Sequence, residues 1–149
     1  MSEAKKNSKL IFPINKNHKF QVSEHGFTMT VLASRESLDL LVQLVGGDVP
    51  HFGVVSTIDK TKKIETHALP SRPGHVHQEG ILTEHLANII KPVIQGNAII
   101  TGGVHVNNIT PEQMNAATSM TEILGEQLVK WLKENPVTPP ELHFAKSLH

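Results

Sequence analysis

The sequence predicts a single α+β domain, in which two main helices pack on one face of a largely antiparallel or mixed β-sheet. Its 149 residues fit one domain better than two. Segments of strand character fill the first half of the chain, and segments with helical spacing of apolar residues fill the second. Residues 1–17 begin with a polar stretch and are expected to form a flexible leader, so the domain is assigned to residues 18–149.

Five strands are expected before the first helix, because apolar and β-branched residues alternate between clusters of turn residues. Their expected bounds are 19–22, 27–33, 38–45, 52–58 and 63–68. His25 and Gly26 are expected to form a turn or bulge. Residues 34–37 and 59–62 are expected to form short turns between strands.

Two helices and one further strand are expected in the second half. Residues 80–94 have apolar side chains at helical spacing, with a start as early as Val76 and an interruption at Pro92. Residues 98–102 form a short buried strand that can continue through Val106. The next helix opens with Thr110 as N-cap and Gln113 three residues later, and it runs to about residue 133. An extended tail follows at residues 135–140.

Composition excludes several functional classes. Lys and Arg together number 14, as do Asp and Glu, so no net charge attracts nucleic acid or an anionic membrane. The absence of cysteine excludes disulfides, zinc ribbons and thiol nucleophiles. A signal-peptide hydrophobic region and an apolar run long enough to cross a bilayer are both missing. We therefore expect a soluble cytoplasmic protein without nucleic-acid or membrane partners.

Three glycine-flanked histidine segments are the strongest functional signal. They are Gly-Gly-Asp-Val-Pro-His at 46–51, Arg-Pro-Gly-His-Val-His at 72–77 and Gly-Gly-Val-His-Val-Asn-Asn at 102–108. Each lies at an end of an apolar segment, where loops gather on a rigid scaffold. Glycine allows close approach of a ligand to the backbone, and imidazole supplies a donor, an acceptor or a metal ligand. The repeated pattern predicts one composite pocket.

The first segment has two interpretations. Its glycines and proline are typical of a tight connection between strands. In the functional interpretation, Gly47 allows close approach and His51 points into a cleft at the start of the next strand. Both interpretations can hold together.

The second segment precedes a helix, whose first backbone N–H groups attract anions. Arg72, Gly74, His75 and His77 are therefore candidates for binding a phosphate or carboxylate. The alternative is an exposed loop whose Glu79 favours the helix dipole. A His-x-His pair can also ligate a metal, so the metal candidates are His51, His75, His77 and His105.

The third segment runs from a buried strand towards a capped helix, and ligands favour the carboxyl ends of strands. Gly103, His105 and Asn107 are binding candidates, with the last two opposite Val104 and Val106. Asn108 is a further candidate or a turn residue, and His105 is alternatively a buried, hydrogen-bonded core residue. Asp48 and Glu79 could serve as acid or base, although nothing pairs them into a dyad.

Taken in order, segments 46–51, 72–75 and 102–110 resemble the LpdD-like proteins, from about Phe20 to Lys133. These small proteins are associated with UbiD-type hydroxyarylic acid decarboxylases, such as gallate decarboxylase. The resemblance implies a non-catalytic chaperone that binds prenylated flavin mononucleotide (prenylated FMN, or FMN) and delivers it to, or matures it for, such a decarboxylase.

The residues suit that ligand. Its phosphate suits the segment from Arg72 to His77, its polar ring edge suits His105 and Asn107, and its apolar ring faces suit aliphatic side chains and Phe52. Two alternatives stay open: a small histidine-dependent metalloenzyme holding a divalent metal, and a ligand-free accessory subunit of a decarboxylase. A homo-oligomer is compatible with either.

Overall fold

A mixed sheet of six strands forms the centre of the molecule. The computed structural model describes residues 16–72, 75–76 and 80–146, with backbone only for Arg72, His75 and Val76. The order across the sheet is β1-β2-β3-β8-β4-β5, in which β3 and β8 are parallel and all other neighbours antiparallel. The strands are β1 (Asn17–Glu24), β2 (Phe27–Glu36), β3 (Asp39–Gly47), β4 (Val54–Ile58), β5 (Ile64–Ala68) and β8 (Ala98–His105).

The first three strands form an antiparallel meander. His25 and Gly26 connect β1 to β2 with φ values of 50° and 81°, as expected for a two-residue hairpin turn. The prediction of a turn at residues 34–37 is wrong for its first three residues, because β2 continues to Glu36. The extension places Arg35 among the buried residues of the sheet.

The second hairpin, β4–β5, does not continue that meander, because β8 inserts between β3 and β4. Strand β4 begins at Val54 rather than at residue 52. In the turn after β4, the Asp59 carboxylate accepts hydrogen bonds from Thr61 N–H (2.7 Å) and Lys63 N–H (3.1 Å). The Thr61 hydroxyl also donates to it, and these bonds hold the pKa of Asp59 below its usual value.

Two short strands precede the first helix, and the sequence did not predict them. Strands β6 (Pro70–Arg72) and β7 (His75–Val76) pair antiparallel as a separate two-stranded sheet. The predicted helix start at Val76 is therefore wrong, and α1 spans Gly80–Ile90. A 3₁₀ turn at Lys91–Val93 follows α1, in agreement with the predicted interruption at Pro92.

The long helix α2 spans Pro111–Glu134 and begins with the predicted capping box. Gln113 N–H donates to the Thr110 hydroxyl at 3.1 Å, and Thr110 N–H donates to the Gln113 side-chain oxygen at 3.0 Å. Most of the apolar side chains that stand at helical spacing in α2 are buried, but Ile123 is half-buried and Met114 is 57% exposed. The spacing thus predicts the helix, but it does not show where the core ends.

Both helices cover the same face of the sheet, as predicted. Alternate residues of β2, β3, β8 and β4 point towards the helices and are buried. The side chains that fill this core include Met29, Val31, Val42, Leu44, Ile58, Ile100, Leu86, Ile90, Met120, Leu124 and Leu128.

Both helices also start at the same end of the sheet, where β3, β5 and β8 finish; we call it the loop end. A Cβ atom added to Gly80, the first residue of α1, would lie 3.5 Å from Val54 and 3.2 Å from Thr66. The Gln113 amide in the first turn of α2 donates to the His25 carbonyl at 2.8 Å. The fold thus brings two helix N-termini and the connecting loops together.

The C-terminal tail, residues 135–146, has no regular secondary structure. The Gln95 side-chain amide makes two hydrogen bonds to it, donating to the Val137 carbonyl at 2.7 Å and accepting from Val137 N–H at 3.0 Å. Residues 1–15, most of the predicted leader, lie outside the described residues, and β1 starts at Asn17. None of the helices described here is long and apolar enough to cross a bilayer.

Candidate functional site

The first and third glycine–histidine segments meet at the loop end. Asp48 N–H and Val49 N–H both donate to the His105 carbonyl, at 2.6 and 3.2 Å. His51 N–H donates to the Gly103 carbonyl at 3.4 Å. The loop after β3 therefore runs along the end of β8 and brings the two segments together.

Two glycines make this approach possible. Gly47 has φ of +82°, and a Cβ atom there would overlap the carbonyl oxygen of His105 and lie 2.7 Å from its carbonyl carbon. A Cβ atom on Gly103 would overlap the His51 carbonyl and lie 2.7 Å from Cδ2 of the His51 ring. Both positions are filled by neighbouring backbone, so these glycines serve the packing of the loops.

His51 and His105 lie at the outer side of β8, which faces away from the helices. The His51 ring packs on Gly103, and its Nδ1–H donates to the Val49 carbonyl at 2.9 Å. His105 is exposed, and its Nε2–H donates to the Asn107 side-chain oxygen at 3.0 Å. With that tautomer, His105 Nδ1 is an acceptor and the Asn107 amide nitrogen is a donor. Such a pair suits the edge of a polar heterocycle.

Two other candidates, Asp48 and Asn108, have structural roles at this site. The Asp48 carboxylate accepts the Asn107 backbone N–H at 2.7 Å and so ties the two loops together. Asn108 has φ of +52°, a left-handed conformation that asparagine tolerates, and it occupies a turn as one interpretation expected. Glu79, the other suggested acid or base, lies outside the described residues.

The second segment starts at the same end. Leu69 N–H donates to the Gly53 carbonyl at 2.8 Å, directly before β6. The backbone of Arg72 then pairs with that of His75 across the short β6–β7 hairpin. Gly74 and His77 lie outside the described residues. The geometry therefore joins this segment to the loop end through its base at Leu69.

An apolar cleft of about 310 Å³ lies on the helix side of β8, between the first turns of α1 and α2. Ile81 (73% exposed), Met114 (57%) and Ile109 (38%) are the most exposed of its walls. The sequence does not distinguish this cleft, because helical spacing places Ile81 and Met114 on the apolar sides of their helices together with core residues. The other lining residues are Leu82, Val104, Ala117 and Thr118.

The electrostatic setting of this cleft comes from the helices. The N-termini of α1 and α2 both lie beside it, and each helix dipole places a partial positive charge towards the loop end. Glu112 in the first turn of α2 balances part of that charge. The setting therefore combines an apolar cavity with a rim that favours anions.

A metal centre has no support in this geometry. Within the ranges 16–72, 75–76 and 80–146, no three His, Asp or Glu side chains form a group that could hold a metal ion. Of the four metal candidates, only His51 and His105 have described side chains; His51 bonds to a backbone carbonyl and His105 to the amide of Asn107.

The fold and the loop end define a class: a small α+β domain with an apolar cleft beside glycine–histidine loops. Residues 23–133 match the family model described as the prenylated flavin chaperone LpdD-like domain. The chain is also 36% identical over 118 residues to Protein LpdD of Lactiplantibacillus plantarum, across 79% of this chain and 87% of that protein. The chain belongs to the LpdD-like prenylated flavin chaperone family, as its three segments predicted.

Proposed function

We propose that this protein binds prenylated FMN at the loop end and delivers it to a UbiD-type hydroxyarylic acid decarboxylase. The observation that carries the proposal is the apolar cleft of about 310 Å³ directly beside the segments that contain His51 and His105. Family membership supports a flavin as the ligand. The protein acts as a binding protein, and no step of bond chemistry is assigned to it.

The ligand is expected to lie across the end of β8. Val104 lines the cleft, whereas the next residue, His105, points to the opposite side of the sheet. The apolar rings therefore enter the cleft, and the polar ring edge reaches His105 and Asn107 over the strand end. The phosphate is assigned to the segment of Arg72, Gly74, His75 and His77, with Gly47, Gly103 and Asn108 shaping the loops.

The dimensions of the cleft suit a carrier that must release its ligand. Pockets that enclose a small molecule measure roughly 300–1,000 Å³, so a cleft of about 310 Å³ holds only part of a flavin nucleotide. The remainder of the ligand stays accessible to a second protein. Val49, Phe52 and Leu69 expose 51%, 55% and 41% of their surface at this same end, which offers the decarboxylase an apolar contact beside the ligand.

Charged substitutions in the cleft are expected to weaken binding. Met114→Lys and Ile81→Lys should each raise the Kd for prenylated FMN at least about tenfold, because an ammonium would be desolvated against the apolar rings. Anaerobic titration followed by flavin absorbance measures the effect. Leu142→Lys is the matched control, since Leu142 is 63% exposed in the tail and outside the cleft.

Further variants test the phosphate assignment and the delivery. Arg72→Ala and His75→Ala should weaken binding, whereas His143→Ala in the tail should leave it unchanged. Cofactor-free decarboxylase mixed with the loaded protein should gain activity, and the Met114→Lys protein should transfer less. Equal binding by the Met114→Lys, Ile81→Lys and Leu142→Lys proteins would contradict the cleft as the ring site.

A further inference from the structure

Two fully buried hydroxyl groups lie between the sheet and the first turn of α1. Ser56 stands on the helix side of β4, between the core residues Val54 and Ile58. Thr83 stands in the first turn of α1 and is buried to the same extent. A buried hydroxyl without a partner destabilises a core, so the bonds that these two groups make account for their presence there.

The two hydroxyls belong to a chain of three that runs in one direction. The Thr83 hydroxyl donates to the Gly80 carbonyl at 3.2 Å, so it accepts from the Ser56 hydroxyl, which lies 2.8 Å away. The Ser56 hydroxyl in turn accepts from the Thr66 hydroxyl on β5, at 2.7 Å. Each of the three groups thus donates one hydrogen bond, and we call Thr66, Ser56 and Thr83 the hydroxyl chain.

Steric contacts hold the same turn of α1 from two further sides. A Cβ atom on Gly80 would lie 3.2 Å from the Thr66 methyl group. A Cβ atom on Gly102 of β8 would lie 3.0 Å from the Thr83 methyl group. Glycine at these two positions lets α1 lie directly on β5 and β8. The hydroxyl chain and the two glycines together fix where α1 begins relative to the sheet.

The first turn of α2 is held at the other side of the sheet. Its Gln113 amide donates to the His25 carbonyl, in the turn between β1 and β2. Strands β3 and β8 lie between that hairpin and the β4–β5 hairpin, so the two helix starts are held apart. Further from the loop end the helices meet, since a Cβ atom on Gly125 would lie 2.9 Å from Cγ2 of Ile89. The apolar cleft is the opening between the separated helix starts.

We infer that the hydroxyl chain sets the width of the flavin cleft, with Thr83 as a positioning residue. The α1 wall of the cleft consists of Ile81 and Leu82, which directly precede Thr83 in the helix. The Thr83 side chain itself is directed to the sheet, towards Ser56 and Gly102. The hydroxyl chain therefore acts on the ligand through the position of α1. The inference rests on the proposed function, because it takes the cleft as the site of the flavin rings.

Thr83→Val removes the hydroxyl with little change of shape. The start of α1 should then leave its place in part of the population, so the apparent Kd for prenylated FMN should rise about three- to tenfold. Thr83→Ser keeps the hydroxyl and should restore most of the affinity. Anaerobic titration followed by flavin absorbance measures the three proteins.

Thr121→Val controls for the loss of a buried hydroxyl as such. Thr121 is fully buried like Thr83, but its hydroxyl donates within its own helix, to the Ala117 carbonyl at 2.8 Å. The variant leaves α1 in place and should keep the flavin affinity of the wild type. An equal loss of affinity in the Thr121→Val and Thr83→Val proteins, or no loss in Thr83→Val, would overturn the inference.

Amide hydrogen exchange without flavin separates this inference from the proposed function. The amides of residues 84–90, which bond within α1, should exchange faster in Thr83→Val than in the wild type and in Thr121→Val. Unchanged exchange there would contradict the role of the hydroxyl chain whether or not the protein binds flavin. Faster exchange in Thr83→Val, together with a wild type that binds no flavin, would contradict the proposed function and retain the hydroxyl chain as the element that places α1.

Discussion

Replacing Gly47 with alanine is expected to abolish flavin binding and to lower the free energy of unfolding by about 2–4 kcal/mol. Two effects add at this position. The residue has φ of +82°, which disfavours any side chain, and the new Cβ would overlap the His105 carbonyl. The two loops must then separate, which breaks the hydrogen bonds from Asp48 and Val49 to His105. Urea denaturation and flavin titration measure the two losses.

Gly26→Ala is the matched control for that variant. Gly26 has φ of +81°, nearly the same as Gly47, but a Cβ atom there would meet no other atom within 4 Å. The control therefore isolates the conformational cost, about 1 kcal/mol, and should leave flavin binding intact. If Gly47→Ala costs no more than Gly26→Ala, the close approach of the loops is not what requires glycine.

Arg35→Ala is expected to have the second large effect, a loss of about 2–4 kcal/mol in the free energy of unfolding. The Arg35 guanidinium donates to the carbonyls of Leu132 and Asn135 at the end of α2. It also lies 4.8 Å from the ring centroid of Trp131. Removal leaves these carbonyls without their donor and opens a cavity beside the indole.

The contribution of Arg35 is measured by urea denaturation followed through Trp131, the single tryptophan of the chain. Burial lowers the pKa of Arg35, yet the group stays charged near neutral pH. Arg35→Lys keeps the charge and loses the planar fork, so it should fall between the wild type and Arg35→Ala. Lys16→Ala, which removes only the exposed ion pair with Glu36, should cost less than about 1 kcal/mol. Equal losses for Arg35→Ala and Lys16→Ala would contradict this account.

Local signals predicted much of the fold. The capping box at Thr110 and the hairpin turn at His25 and Gly26 depend on neighbouring residues, so the sequence is sufficient to place them. The same holds for Pro92, which ends α1 whatever the helix packs against. Burial of alternate strand residues on one face also follows from the two-residue period.

Tertiary contacts decided the rest. Arg35 has the polarity of a turn residue, but stacking on Trp131 keeps it in β2. The insertion of β8 between β3 and β4 depends on long-range pairing that no local pattern contains. Strands β6 and β7, of three and two residues, are too short to produce a periodic signal.

The candidate site also has features that the sequence predicted and features that depend on tertiary contacts. The glycines of segments 46–51 and 102–108 predicted close approach of a ligand, whereas neighbouring backbone occupies the space beside Gly47 and Gly103 and brings the two loops together. No sequence pattern indicates the cleft, because helical spacing cannot distinguish a core residue from one that lines an opening. Ile81 and Met114 have core spacing but lie at helix starts, where the sheet no longer covers them.

Ligand retention tests the central claim most directly. The purified protein is mixed anaerobically with prenylated FMN, desalted, and analysed for flavin by absorbance and for protein by amino-acid analysis. We expect about one flavin per chain to remain bound to the wild type, and much less to the Met114→Lys protein. A wild type that keeps no flavin after desalting, although it is folded, would contradict the proposal that the loop end is a flavin site.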